Sequence, residues 1–259
     1  MSLRVITATR GYSSHLALTV ASGAAIPDAR HILVCPAAMG AELARRFPGG
    51  TLLAETGKGL YVALNTGLEA PGDEEFVTWI NDDDLLVTAG MGTAMELLAR
   101  DGTVGAVYGR VGLIDAAGSR LGELPVAHEA EDLLPLIAAG IMPLAQPGTI
   151  FRRRALAAVG RFDPSFRLAG DLDLFARALR ASMKFAFVDT TVAQFRLHAG
   201  QLSKDESAAE REHARVVAAL PRLPAVAARW RFRMANLPVY LERIRRHGFK
   251  RTRTLYRHG

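Results

Sequence analysis

Short β-rich segments alternate with helical segments through the first hundred residues, and this alternation constrains the fold more than any other feature. Runs of β-branched and apolar residues predict strands at 3–9, 31–35, 51–54 and 76–80. Apolar residues at helical spacing predict helices at 14–22, 41–47, 59–69 and 87–100. Strands and helices that alternate at this spacing form βαβ units. The sequence therefore predicts an α/β fold with a mostly parallel sheet.

The pattern changes after residue 103. Residues 104–108 and 111–115, with the turn residues around Gly118, predict strands joined by a hairpin. Further strands are expected at 148–151, 184–188 and 192–196, with a helix at 171–181. Beyond Ser203 the chain is predicted to be helical and broken at Pro221, Pro224 and Pro238. We expect a domain at 1–203 and a helical extension at 204–259.

Composition excludes several classes of protein. Of the 259 residues, 49% are hydrophobic and 22% charged, so the chain can bury a core and is not expected to be disordered. Cys35 is the one cysteine, which excludes an internal disulfide. With no recognisable signal peptide, a reducing, cytoplasmic location is expected. The most apolar stretch, 133–145, is too short to span a bilayer.

The positive charge of the chain is confined to its last part. The net charge is +6, yet residues 222–259 hold eleven Lys or Arg and one acid, Glu242. This part therefore carries +10 and residues 1–221 carry −4. The two parts of the chain need separate explanations.

Three consecutive carboxylates, Asp82, Asp83 and Asp84, follow Asn81 directly after the fourth predicted strand. Such carboxylates repel one another unless a positive charge lies beside them. Mg²⁺ or Mn²⁺ would supply that charge, because both prefer oxygen ligands. The carboxyl end of a strand in an open α/β sheet is also where ligands bind. The alternative is a solvated turn whose acids cap the next helix.

Two further features carry candidate chemistry. Asp171 and Asp173 open a predicted helix, where the helix dipole alone would stabilise acids by about 0.3–1 kcal/mol. His198 closes a predicted strand, and a lone histidine there is more often a hydrogen-bonded or surface residue than a metal ligand. Neither feature alone distinguishes a functional role from a structural one.

The order of motifs resembles that of family 2 glycosyltransferases, and the resemblance covers about residues 3–203. The matching segments are 57–61, 63–67, 79–85, 107–109, 146–152, 159–163, 171–174 and 195–198. The resemblance implies a GT-A fold, which is a Rossmann-like, mostly parallel central sheet flanked by helices, here with a basic helical C-terminal extension. It also implies a hexosyltransferase that uses a nucleoside-diphosphate sugar, with a UDP-sugar favoured, and that inverts the anomeric carbon.

Residue roles follow from the same resemblance. Asp83, with Asp82 or Asp84, resembles the acid motif that holds Mg²⁺ or Mn²⁺ against the diphosphate, and His198 falls where a further metal ligand occurs. Asp171 falls at the position of the catalytic base. The residues implied on the donor side are Thr7, Lys58, Tyr61, Asn65, Asn81 and Asp82. Those implied on the acceptor side are Gln146, Arg152 and Asp173.

The chain departs from the family pattern at two places. The family usually has an acid after its second strand to hold the nucleoside base, whereas residues 34–38 contain no carboxylate. The first strand ends at Thr9 and Arg10, where a small polar residue such as asparagine is commoner. The identity of the base stays open. A sugar-phosphate nucleotidyltransferase is an alternative, although Arg10–Ser14 only faintly matches its glycine-rich loop.

Aromatic and aliphatic residues lie among the arginines of 222–259, a composition that suits a helix in the headgroup region of an anionic membrane. We therefore expect peripheral attachment to the inner face of the cell membrane, with a surface glycan or lipid-linked saccharide as acceptor. The alternatives are an arm that packs on the acidic body and a non-catalytic basic adaptor. Nucleic acid is a less favoured partner, because no known nucleic-acid module accompanies the charge.

Overall fold

The fold is taken from a computed structural model that describes residues 1–198 and 206–255, and the side chains of 1–198 and 207–246. The strands are β1 Leu3–Ala8, β2 Ala29–Cys35, β3 Thr51–Ala54, β4 Phe76–Trp79, β5 Leu85–Leu86, β6 Val104–Asp115, β7 Arg120–Glu123, β8 Ile150–Arg152 and β9 Lys184–Leu197. The helices are α1 Leu16–Ala24, α2 Gly40–Arg46, α3 Leu60–Glu69, α4 Thr88–Arg100, α5 Leu133–Ala138, α6 Arg153–Val159, α7 Gly170–Arg180, α8 Glu206–Ala218, α9 Val226–Ala235 and α10 Leu237–Leu255.

The strands form one sheet in the order β3-β2-β1-β4-β8-β6-β9-β5, with β7 paired to β6. The first four strands of this order are mutually parallel, and β6 and β9 are parallel to each other. β8 is antiparallel to both β4 and β6, so six strands run in one direction and their carboxyl ends share one edge. The predicted α/β fold with a mostly parallel sheet is confirmed.

Helices cover both faces of the sheet. On one face, α3, α5 and α7 pack on an aromatic core that includes Trp79, Phe151, Phe162, Phe175 and Phe185. On the other face, α4 packs against β6 and β9. Since successive strand residues point to opposite faces, β4 supplies Trp79 to the first layer and Phe76 to the second.

Two predicted strand pairs are each one long strand. Residues 104–108 and 111–115 belong to β6, and the hairpin lies after them, between β6 and β7. Residues 184–188 and 192–196 belong to β9. The register shifts where Val188 pairs with Gly109 and Thr191 with Arg110, so β9 bulges there. A bulge interrupts the alternation of apolar residues, and this made one strand read as two.

The helical extension packs on the body instead of standing apart from it. Asn236 receives a 2.9 Å hydrogen bond from the Val126 N–H and donates one of 2.9 Å to the Val126 carbonyl. The predicted break at Pro238 is confirmed, because α9 ends at Ala235 and α10 begins at Leu237. Pro238 lies in the first turn of α10, where a missing N–H costs nothing. The predicted division between 203 and 204 falls outside the described residues. Within the described residues, no helix has both the length and the apolar character that crossing a bilayer requires.

Candidate active site

The acid cluster lies where the carboxyl ends of β1, β4 and β9 meet. Thr9, just past β1, donates a 2.6 Å hydrogen bond to Asp82 Oδ2. Ser13 donates one of 2.9 Å to the Asp82 carbonyl. Burial, opposed by the Thr9 hydrogen bond, raises the pKa of Asp82, and the charge of Asp83 raises it further. The loop between β1 and α1 is therefore fastened to the turn that carries the acids.

Asp83 and His198 form the central pair of this site. His198 Nε2 lies 2.8 Å from Asp83 Oδ2, and their side chains are 21% and 13% exposed. The ring of His15 lies 5.4 Å from that of His198. Burial and the positive charge of Arg196 lower the pKa of His15, which favours its neutral form beside the pair. The fold thus brings Asp83 and His198 into contact, and both side chains are partly exposed.

Asp84 has a different role from its two neighbours. Its carboxylate is fully buried and accepts hydrogen bonds from Asn81 Nδ2 at 3.1 Å and from the Arg196 N–H at 2.8 Å. Burial and the nearby charge of Asp83 hold the pKa of Asp84 well above its usual range. Because its oxygens are used inside the protein, the predicted metal-ligand role of Asp84 is corrected to a structural one. Asn81 likewise orients Asp84.

Arg196 is a site residue that the sequence analysis missed. Its buried guanidinium donates to the Asp83 carbonyl at 2.8 Å and to the carbonyls of Asp115 and Ala116 at 3.0 and 3.3 Å. It therefore places a positive charge beneath the acid cluster and links β9 to the turn after β6. The available signal was an arginine between apolar residues near the end of a predicted strand. Part of the charge that the carboxylates require thus comes from the protein itself.

Asp171 lies at the same edge of the sheet. Its helix α7 ends just before β9 starts at the opposite edge, so α7 begins at the carboxyl edge. Asp171 Oδ1 accepts hydrogen bonds from the Leu172 N–H at 2.9 Å and from the Tyr61 hydroxyl at 3.3 Å. Burial raises the pKa of Asp171, although these hydrogen bonds oppose the change. A carboxylate with a raised pKa is suited to general-base chemistry.

Tyr61 supports Asp171 from α3 and is itself buried, which raises the pKa of its hydroxyl. A Cβ at Gly170 would lie 2.6 Å from the Tyr61 ring, so only glycine allows α7 to approach this closely. The Tyr61 ring also stacks on Phe162 at 5.3 Å, and Phe162 packs edge-on against Trp79 at 4.9 Å. This aromatic row connects the Asp171 side of the site with the strand that precedes the acids.

Glu212 on α8 is a second residue that the sequence analysis missed. Its carboxylate accepts hydrogen bonds from the N–H groups of Arg167, Leu168 and Ala169 at 3.0, 2.8 and 2.9 Å. Burial alone would raise the pKa of Glu212, but these three donors lower it. Ala169 directly precedes α7, so the extension holds the segment that leads into Asp171. Only the fold shows that α8 reaches this segment.

The remaining donor-side residues have varied positions. Lys58 is exposed in the turn before α3, at the carboxyl edge. Thr7 is fully buried with its hydroxyl 3.0 Å from His31 Nε2, so it cannot touch a bound ligand. The amide of Asn65 binds the Phe162 main chain at both ends, at 2.9 and 3.0 Å. Asn65 and Thr7 thus serve the fold beneath the site.

The acceptor-side residues divide in the same way. Gln146 donates a 2.6 Å hydrogen bond to the Trp79 carbonyl, which places it beside the acid cluster. Arg152 pairs with Phe76 at the opposite edge because β8 runs antiparallel to β4. Arg152 is buried there against Glu75, so its predicted acceptor role is corrected. A cavity of about 660 Å³ lies at that edge, lined in part by Glu75 and Arg152, and is therefore remote from the acid cluster of Asp82, Asp83 and Asp84.

Asp173 also requires correction. It lies two residues after Asp171, about 200° further around α7, so the two carboxylates leave the helix on different faces. Asp173 accepts a 2.8 Å hydrogen bond from Arg177, which in turn donates to the carbonyls of Val159 and Arg161. Asp173 therefore fastens the loop after α6.

The end of β2 has no carboxylate of its own, in agreement with the sequence. A carboxylate nevertheless lies at this corner, because Glu55 directly follows β3 and its N–H donates 2.9 Å to the Cys35 carbonyl. Burial raises the pKa of the Cys35 thiol, and the charge of Glu55 raises it further. Glu55 is the acid that the fold places beside the end of the second strand.

The side chains at the acid cluster are of the types that bind a divalent cation. Asp82 and Asp83 offer oxygen atoms and His198 a ring nitrogen, a combination that Mn²⁺ accepts. Within the described part of the chain, no three such groups already converge as a metal site. Mg²⁺ and related ions commonly bind one or two carboxylates and complete their shell with water and phosphate oxygens. A partial protein shell is what such a site requires.

Comparison with known proteins gives the fold. No family model matches the chain, and no curated protein matches it in sequence. Among solved structures, it is similar to TarS from S. aureus in complex with UDP-GlcNAc, with a TM-score of 0.61 and 14% identity over 90% of this chain and 71% of TarS residues 1–349. It is similar to the mannosyltransferase PcManGT from Pyrobaculum calidifontis in complex with GDP-Man and Mn²⁺, with a TM-score of 0.60 and 16% identity over 98% and 78%. The chain has the α/β fold of these nucleotide-sugar-bound proteins.

Proposed function

We propose that the protein is an inverting, metal-dependent glycosyltransferase of the hexosyltransferase type. It transfers a sugar from a nucleoside-diphosphate sugar, with a UDP-sugar favoured, to a hydroxyl of a surface glycan or lipid-linked saccharide. The carrying observation is that the Asp83–His198 pair and the Asp171–Tyr61 pair share one edge of the sheet. The similar structures with bound UDP-GlcNAc and GDP-Man support this choice of donor. We place the reaction in the cytoplasm, at the inner face of the membrane.

In this mechanism the two pairs act at opposite ends of the breaking bond. Asp171 removes the proton from the acceptor hydroxyl as its oxygen bonds to the anomeric carbon. The bond from that carbon to the β-phosphate oxygen breaks, and its electron pair leaves with the nucleoside diphosphate. Asp83, Asp82 and His198 would hold Mg²⁺ or Mn²⁺, which supplies charge stabilisation to the leaving diphosphate. Tyr61 keeps Asp171 oriented, and Arg196 fixes the main chain of Asp83.

Asp171→Asn tests the assignment of the base. This variant should bind donor normally and lose turnover by a factor of roughly 10²–10⁴, the usual contribution of a general base. Asp173→Asn is the matched control, because it makes the same change two residues away on another face of α7. Transfer is measured with the purified chain, Mn²⁺ and radiolabelled donor. Turnover that survives in Asp171→Asn but falls in Asp173→Asn would contradict the proposal.

Two further experiments test the alternatives, a sugar-phosphate nucleotidyltransferase and a non-catalytic adaptor. Incubation with a nucleoside triphosphate and a sugar phosphate would release pyrophosphate from a nucleotidyltransferase but not from a glycosyltransferase. A non-catalytic adaptor would show no stabilisation by Mn²⁺ with any of uridine, guanosine, cytidine or thymidine diphosphate, since a bound ligand must raise stability. Stabilisation by one diphosphate, together with transfer from its sugar, would support our proposal and identify the base.

A further inference from the structure

Most of the large hydrophobic residues exposed in the described part of the chain lie on α9 and α10. Val226 is 84% exposed and Trp230 is 64% exposed. The full set, which we call the apolar stripe, is Val226, Trp230, Met234, Leu237 and Leu241. Its members recur at intervals of four, four, three and four residues, so they form one face on each helix. Exposed apolar residues in such a row are unusual unless a partner covers them.

A second row on the same helices is buried against the body. Its members are Ala228, Phe232, Asn236, Val239 and Arg243, each two positions after a member of the apolar stripe. Two residues correspond to about 200° around a helix, so the two rows lie on opposite faces. The amide of Asn236 and the guanidinium of Arg243, which donates to the Glu123 carbonyl, fasten this buried row. The apolar stripe therefore points away from the body along both helices.

Positive charge borders the apolar stripe. Arg233 and Arg245 are exposed on α9 and α10, and the exposed Arg229 also donates a 3.1 Å hydrogen bond to the Ala139 carbonyl. Glu242, the one acid after residue 221, is already paired with Arg120 and Arg246. The face thus combines apolar side chains with guanidinium groups. Two copies of it placed together would oppose like charges, whereas an anionic surface would complement them.

We propose that the apolar stripe and its arginines form a membrane-binding face that lies in the headgroup region of a bilayer containing anionic phospholipid. The apolar side chains enter the boundary between headgroups and acyl chains, and the arginines reach lipid phosphates. A nucleic acid would engage the arginines but leave the five apolar residues exposed. This inference does not depend on the proposed sugar transfer, because none of its residues belongs to the candidate active site.

The membrane-binding face is also connected to that site. Helix α10 packs on β7, which pairs with the carboxyl half of β6. Arg196 then joins the Asp115 carbonyl, at the end of β6, to the Asp83 carbonyl in the acid cluster. Binding through the stripe would therefore hold the carboxyl edge of the sheet near the lipid surface, where a lipid-linked acceptor would lie.

The two tryptophans provide a direct test with the full chain. Trp79 is 2% exposed in the core, whereas Trp230 is 64% exposed on the stripe. Vesicles of phosphatidylcholine with phosphatidylglycerol should shift the Trp230 emission to the blue, and brominated lipids should quench it. Vesicles of phosphatidylcholine alone should do neither, and added salt should weaken binding because exposed charge is screened. Trp230→Phe should bind but lose the signal.

Matched variants distinguish vesicle binding through the apolar stripe from nonspecific adsorption of the protein to lipid. Arg233→Gln with Arg245→Gln should lower partitioning into anionic vesicles roughly thirty-fold. Arg100→Gln with Arg154→Gln removes the same charge from exposed positions elsewhere and should have little effect. Trp230→Ser with Leu241→Ser should also weaken binding, unlike Leu18→Ser on α1. Equal binding by stripe and control variants, indifference to lipid charge, or a blue shift that needs only higher protein concentration would each overturn the proposal.

Discussion

His198 Nε2 lies 2.8 Å from Asp83 Oδ2, which joins residues 115 positions apart in the sequence. His198 directly follows β9 and Asp83 follows β4, so the pair exists only when the two halves of the sheet are assembled. Asp84, the next residue in the chain, is turned inward and fully buried. Of these two adjacent carboxylates, Asp83 is therefore available to a ligand, whereas Asp84 is used within the fold.

The proposed role of Asp83 and His198 in binding Mn²⁺ can be tested by measuring how much bound ligands stabilise the folded protein. With Mn²⁺ and a bound diphosphate at roughly 100 times its Kd, the protein should gain about 2.7 kcal/mol in the free energy of unfolding. Asp83→Asn and His198→Gln should lose the part of this gain that requires Mn²⁺. Asp84→Asn should keep it, since the Asp84 side chain is fully buried and both of its oxygens bind groups inside the protein. Differential scanning fluorimetry measures all three, and an equal loss in Asp84→Asn would contradict the assignment.

Asp171 predicts the pH dependence of transfer. A base acts when deprotonated, and burial raises the pKa of Asp171, so the rate should fall on acidification at a higher pH than for an ordinary carboxylate. Tyr61→Phe removes a hydrogen bond to the charged form and should move this acid limb to still higher pH. The measurement is the pH profile of kcat in both proteins. An acid limb that stays in place or moves downward in Tyr61→Phe would refute the role of Tyr61.

Glu212 is expected to position Asp171 without touching substrate. Glu212→Gln replaces an acceptor of three main-chain N–H groups with a weaker, neutral one. We expect kcat to fall by about tenfold or more while the KM for donor stays nearly unchanged, because small displacements of a catalytic group are costly. Glu210→Gln, two residues earlier on α8, is the control. A change in donor KM with kcat preserved would place Glu212 elsewhere in the reaction.

His31 should make stability depend on pH. Burial lowers the pKa of His31 to about 4, against 6.5 for the free side chain. Between these values the unfolded chain binds a proton that the native protein does not, so acidification from pH 6.5 to 4 should cost about 3 kcal/mol. Urea unfolding of the protein and of His31→Gln across this range measures the effect. The variant should lose this component of the slope, and an identical slope in both proteins would show that His31 is not its source.

Much of the fold could be predicted because local patterns record it. The first four strands and their helices follow from apolar periodicity, and the structure confirms them within a few residues. Pairing partners are not local, so the bulge at Thr191 made β9 read as two strands. The sequence also does not show that β8 runs antiparallel to β4. This direction places Arg152 beside Phe76, at the start of β4 and away from the acid cluster.

The candidate site shows the same division. The sequence by itself determined that Asp82, Asp83 and Asp84 follow a buried strand, since the end of an apolar run is visible in the chain. Only the tertiary structure decided which of them faces solvent, because burial of Asp84 depends on the main chain of Arg196, 112 residues away. It likewise decided which face of α9 and α10 is covered. Helical spacing shows that two faces exist, but packing against the body selects the one that is buried.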